Sequence, residues 1–274
     1  MEIINKVLDF MAYFKSKPGF YTVTENLETK LNFTDKKFKF TADYTKEDFR
    51  YIWGREVSDE DLKWLRISNL ELDWELTYEN IYIYGGFDNW GFSDALCSPA
   101  QPDYKTIACQ HEYFSVEEER FLKEETNLFC KSAHGMGNGT YGIFHRTKDK
   151  YPFDILYLDR GRFFKTDFSL ESYYQAMIDS MAVCGWQYFY LDFDEIKNKC
   201  ADFKVGQRWL TIYPYGEGYA PSPLGHGVTK ETSRLAAVVH HMEVCVYLLP
   251  KIFPDKDFSY HKQRLEDFKA SLQQ

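Results

Sequence analysis

The stretch between residues 140 and 167 constrains the fold more than any other. It contains three short runs, TYGIFHR, PFDILYLDR and GRFFKTD, rich in aromatic and β-branched residues. Lys148, Asp149 and Lys150 break the first run from the second, and Asp159, Arg160 and Gly161 break the second from the third. Polar turn formers at such short intervals reverse the chain, so the spacing predicts an antiparallel meander.

The glycines leading into that meander raise a question of function. In HGMGNGTYGIF (134 to 144), Gly137, Gly139 and Gly142 spell G-x-G-x-x-G. A dinucleotide site needs a strand before those glycines and a helix after them, because the helix N-terminus supplies the donors and positive dipole for pyrophosphate. Here a helix-like segment and Cys130-Lys131-Ser132 come first and TYGIFHR, a strand, follows. The kinase version lies between strands but also needs a strand lysine, H-R-D and D-F-G. Asp192-Phe193-Asp194 is not D-F-G, and H-R-D does not occur. The glycines are therefore read as structural. Gly135 and Gly137 suit a turn, and Gly142 suits a strand position beneath a bulky aromatic side chain.

Elsewhere helical periodicity alternates with strand texture. Ile3, Val7, Phe10, Met11 and Phe14 recur at helical spacing before Lys17, Pro18 and Gly19. FYTVTENLETKLNFT and KKFKFTADY alternate apolar and polar, which suggests two strands or a hairpin. VSDEDLKWLRISN carries Ser58 as N-cap ahead of three acids. ELTYENIYIYGG follows and is halted at Gly85-Gly86, and FDNWGFSDALCSPAQPDYK reads as loop. SVEEERFLKEETNLF begins with a Ser115/Glu118 capping box. SLESYYQAMIDSMAV predicts a helix capped by Ser169, with Tyr173, Met177 and Met181 on one face. TSRLAAVVHHMEVCVYLLPKIF is a strong helix ended by Pro250 and Pro254, and YHKQRLEDFKASLQQ a last amphipathic one.

Composition excludes several functions. Among 274 residues the net charge is -9 and the pI about 5.4, which disfavours nucleic acid and anionic membranes as partners and suits a basic protein. The chain is 18% aromatic, enough for a large core. No signal-peptide pattern or membrane-length apolar run is found, and the six cysteines form no C-x-x-C pair, so reduced thiols in a cytoplasmic protein are expected.

Catalytic constellations are weak. Adjacent His240 and His241 diverge on a helix, and His241 with Cys245 gives only two ligands, so no metal or other cofactor is expected. Cys109-Gln110-His111 and Cys130 near His134 raise thiol chemistry, but sequence proximity does not make a nucleophile and base meet. Cys130 after Leu128-Phe129 reads as a small core hydrophobe. G-x-S-x-G is absent. Asp192 and Asp194, alternating with Leu191 and Phe193 in YFYLDFDEI, would share one face of a strand. The loop YPYGEGYAPSPLGH (214 to 227) is long and aromatic enough to line a cleft or an interface.

Two segments resemble the Smi1/Knr4 (SUKH) superfamily, over roughly residues 57 to 182. The first is VSDEDLKWLRISNLELDWELTYENIYIYGGFDN, where Leu70, Leu72, Tyr78, Tyr82, Gly85 and Gly86 fall at the family's L-x-L-P-x-x-Y segment and its helix ending in paired glycines. Leu72-Asp73 replaces the usual Leu-Pro. The second is LFCKSAHGMGNGTYGIFHRTKDKYPFDILYLDRGRFFKTDFSLESYYQAM. It is similar to the family's central sheet and the helix after it. The resemblance implies an α+β fold with a central curved antiparallel sheet flanked by helices, and a binding role without catalytic residues. A helix-and-hairpin extension (1 to 56) would precede the α+β domain (57 to 185), and an aromatic loop with helices packed on the core (186 to 274) would follow.

The expected function is a noncatalytic, intracellular protein-binding role, an immunity-type neutralisation of a bacterial toxin being its most specific form. Partner contact is expected at Asp88, Trp90, Asp94 and Asp103 in one loop, and at Tyr215, Glu217 and Tyr219 in the other. The competing readings are a glycan- or peptide-acting hydrolase and a regulatory scaffold with no toxin partner.

Overall fold

The computed structural model describes residues 2–17, 21–22, 70–78, 81–89, 115–132, 140–145, 154–159, 162–201 and 233–272. These form an α+β fold. Helix α1 (Glu2–Ser16) is followed by β1 (Tyr21–Thr22), β2 (Glu71–Tyr78), β3 (Ile81–Asp88), α2 (Val116–Glu125), β4 (Thr126–Ser132), β5 (Thr140–His145), β6 (Asp154–Asp159) and β7 (Arg162–Lys165). Then come α3 (Leu170–Asp179), a 3-10 helix (Trp186–Tyr190), α4 (Phe193–Ala201), α5 (Ser233–Glu243), a π turn (Val244–Leu248), α6 (Leu249–Ile252) and α7 (Ser259–Ser271). The strands form one antiparallel sheet in the order β1 to β7.

The meander forms as its turn residues predict. Gly142 pairs with Tyr157, and Tyr157 with Phe164. Gly142 lies beneath aromatics, as expected: a Cβ there would stand 2.8 Å from the Phe129 ring and 2.9 Å from the Tyr173 hydroxyl. One irregularity adjusts the packing. The β4–β5 register shifts between Leu128 and Cys130, so adjacent Phe129 and Cys130 both enter the core.

Three expectations need correction. The resemblance implies a helix ending at Gly85-Gly86, but residues 71–78 and 81–88 pair as strands, from Glu71 opposite Asp88 to Tyr78 opposite Ile81. Period two explains this, because Leu72 and Trp74 are buried while Glu71, Asp73 and Glu75 between them stay partly exposed. The glycines make room for another segment. A Cβ on Gly85 would lie 2.5 Å from Ala182 O and 2.6 Å from the Trp74 ring. Gly86 has φ 139°, and its N–H donates to Ala182 O at 2.8 Å.

The second correction concerns YFYLDFDEI, which is not a strand. It is the end of the 3-10 helix and the start of α4, so Asp192 and Asp194 do not share a strand face. Asp192 instead accepts from the Glu195 N–H at 2.8 Å and caps α4, while Asp194 pairs with Lys197 at 2.7 Å. Thirdly, Pro250 does not end its helix. It stands in the first turn of α6, where its missing N–H does no harm. The π turn before it widens the helix, with Leu249 N–H reaching back to Val244 O.

One apolar core joins residues from the N-terminal, central and C-terminal stretches of the chain. Ile3, Val7, Phe10, Met11 and Phe14 are all buried on α1. The Phe14 ring stacks on Trp74 at 5.3 Å and meets Phe253 at 5.6 Å. Helix α3 ends sooner than its apolar pattern suggests, because Met181 and Ala182 take left-handed φ values of 56° and 50°. That conformation costs on the order of 1 kcal/mol per residue. It is offset where Trp74 Nε1 donates to Met181 O at 2.9 Å and Ala182 O receives Gly86. On the opposite face of the sheet, α2 starts with the expected Ser115/Glu118 capping box. Its Phe121 ring packs 5.2 Å from both His145 and Phe163.

Candidate functional site

Three groupings of polar residues carry whatever chemistry the described residues hold. The first lies between α3 and the sheet. Asn89 is fully buried just beyond β3, where its N–H donates to Leu70 O at 3.0 Å and its Oδ1 accepts from the Tyr174 hydroxyl at 3.0 Å. The Cys130 thiol lies against the Tyr173 hydroxyl and the Asp88 backbone, and burial pushes its pKa up to about 12. Such a thiol stays protonated at neutral pH and is no nucleophile. Burial likewise raises both tyrosines well above their ordinary range. The expected packing role of Cys130 accords with this.

The second grouping looks at first like nucleophilic machinery. Ser180 Oγ lies 2.8 Å from His261 Nε2. Yet Ser180 is fully buried and its hydroxyl donates to Ala176 O at 2.7 Å. His261 is buried too, and its Nδ1 has no hydrogen-bond partner to orient the ring. Desolvation holds the imidazole at about 4 against an ordinary 6.5. A serine whose proton is committed to a backbone carbonyl, beside a base without an orienting group, does not have triad geometry. Nothing in the sequence analysis singled out either residue. The signal was present: His261, Leu265 and Phe268 repeat at three to four residues, and all three are buried.

His241 and Cys245 do not converge on a common ligand site. The Cβ and ring of His241 lie against Gly185, whose φ is 82°, and the ring stacks over Tyr188 at 6.4 Å. Cys245 is fully buried, and burial raises its pKa. Among the described residues no group of three His, Cys, Asp or Glu side chains is placed to hold a metal.

The third grouping is on the outer face of β2. Glu71, Asp73 and Glu75 project there at alternate positions, each partly exposed. Register places Glu71 opposite Asp88, and Asp88 opposite Lys131 of β4. Of the residues expected to contact a partner, Asp88 is the last of β3 and only 9% exposed, so it is not the exposed loop residue anticipated. Trp90, Asp94, Asp103, Tyr215, Glu217 and Tyr219 lie outside the described residues. The acids of β2 were not among the expected contact residues, because the glycine pair after them reads as the end of a helix. Their alternation with Leu72 and Trp74 was the available sign.

No family model, curated protein or solved structure matches this chain. Among the described residues no helix is long and apolar enough to cross a membrane.

Proposed function

We propose that this chain is a noncatalytic protein-binding protein on a Smi1/Knr4-like scaffold. It would meet a basic partner through the outer face of β2, together with the acidic and aromatic residues expected from the sequence at Trp90, Asp94, Asp103, Tyr215, Glu217 and Tyr219. Neutralising a toxin in the cytoplasm is the most specific form of this reading. One observation carries it: Glu71, Asp73 and Glu75 stand at every second position of one strand, partly exposed, in a chain of net charge -9. Aligned carboxylates accelerate encounter with a cationic surface and set its orientation. The Cys130 and Cys245 thiols, buried and held protonated, and the closed-in Ser180–His261 pair, whose serine proton is committed to Ala176 O, support the same reading.

The test uses the full chain, immobilised and exposed to the secreted proteins encoded beside its own gene. A basic protein should be retained, with an association rate that falls as salt rises. Reversing Glu71, Asp73 and Glu75 to Lys together should slow association by about 10-fold or more while leaving the fold intact by circular dichroism. Retention with unchanged kinetics in the reversed variant, or an acidic partner, would overturn the assignment.

A further inference from the structure

The last helix is seated on an uncharged imidazole. His261, on the first turn of α7, is 2% exposed. Phe189 meets it edge-on at 4.8 Å, with Tyr260 at 5.6 Å, Phe258 at 5.8 Å and Tyr190 at 6.1 Å. Because the Ser180 hydroxyl donates to Ala176 O, its oxygen is left to accept from His261 Nε2–H. Nδ1 then keeps a bare lone pair among rings.

The polar groups around it come from several elements. Ser180 stands at the end of α3, and Tyr190 on the 3-10 helix places its hydroxyl 3.4 Å from Nε2. Asp179 and Cys245 act on that tyrosine from α3 and the π turn. From its own segment Asp257 favours a charged ring, but it is engaged with Ser259 N at 2.8 Å and Ser259 Oγ at 3.1 Å. Burial outweighs Asp257, and the ring is held at about 4.

We propose that α7 is an acid-released clasp: a proton added at His261 Nδ1 puts a charge and an unmatched N–H among aromatic rings, and the helix lifts off the 3-10 helix and the end of α3 while the sheet stays closed. The topology allows this division. Among the described residues every strand precedes α3, and α7 is no part of the β1–β7 ladder. Its other holds include the Arg264 donations to Phe189 O at 2.8 Å and Leu191 O at 2.9 Å, the Lys269–Glu243 ion pair at 2.8 Å, and the Lys197 donation to Ser271 O at 3.3 Å. The Arg264 charge persists at any accessible pH, so its two donations do not supply the trigger. Release would bare Leu265 and Phe268, both fully buried when the helix is docked.

The experiment is hydrogen–deuterium exchange on the full chain between pH 7 and pH 4, corrected for intrinsic exchange rates. Amide protection in α7 should fall by about 100-fold, the ratio set by a ring that titrates near 4 docked and near 6.5 released. Amides of β4, β5 and β6 should hold their protection. His261→Gln and His261→Phe, neither of which titrates, should each remove the dependence on pH in α7. The comparison of α7 with the sheet within the unaltered chain stands even if both variants fail to fold. Loss of protection in helix and sheet together, unchanged protection in α7, or a pH dependence that survives in a folded variant would each overturn the clasp.

Discussion

Helices α3 and α7 both close over aromatic floors, and each buries a titratable group there. Under α3 it is the Tyr173 hydroxyl, which lies against the Cys130 thiol; under α7 it is His261, whose Nδ1 has no hydrogen-bond partner. The cost of desolvation is similar in kind, but the consequences for pH differ. Burial drives Tyr173 upward, so it stays neutral on both sides of pH 7 whether the chain is folded or not. Burial drives His261 downward, away from an unfolded value near 6.5, so the folded and unfolded chains bind different numbers of protons under mild acid. The same packing therefore makes one helix indifferent to pH and the other sensitive.

Cutting away the floor contact of α7 should have the largest effect. Phe268 is fully buried and packs 4.9 Å from Phe193, so Phe268→Ala should cost about 3–5 kcal/mol in urea unfolding. A loss under 1 kcal/mol would mean that α7 contributes little to the folded state. Mild acid comes next. The depressed pKa of His261 means that its contribution is fully present above about 6.5 and is lost as pH falls toward 4, amounting to about 3 kcal/mol. Unfolding free energies at pH 7.5 and pH 4.5 for the unaltered chain and His261→Gln should therefore converge as pH falls. Parallel curves would break the contrast with α3.

Two smaller changes sharpen the α3 side. Asn89→Ala removes the acceptor of the buried Tyr174 hydroxyl at 3.0 Å and should cost about 1–3 kcal/mol, equally at both pH values. Tyr173→Phe removes a hydroxyl that lies against the Cys130 thiol, a weak hydrogen-bonding group, and should change stability by less than about 1 kcal/mol. Denaturation midpoints at the two pH values check both.

Local signals carried much of this architecture. The meander, the Ser115 and Ser169 caps and the apolar faces of α1 and α3 could be read because each depends on a few neighbouring residues. Gly142 could be placed under an aromatic ring because its neighbours are strand formers. What could not be read depends on distant partners. Gly85-Gly86 looks like a stop signal in isolation, yet it serves the approach of Ala182, nearly a hundred residues later. YFYLDFDEI alternates like a strand, but Arg264 of α7 donates to its Phe189 and Leu191 carbonyls, and Asp192 turns the chain into α4. The acids of β2 and the burial of His261 show as periodicity, alternate positions in one and three-to-four-residue spacing in the other.

The contrast between the two helices rests on a buried imidazole that resists protonation. Its most direct test is an NMR titration of the full chain labelled at histidine, following the ring carbons and nitrogens of His261, with His261→Gln to assign the signal. The ring should remain the neutral Nε2–H tautomer down to about pH 4 for as long as α7 amides stay protected. An imidazolium forming near 6.5 under a helix that is still protected would contradict it.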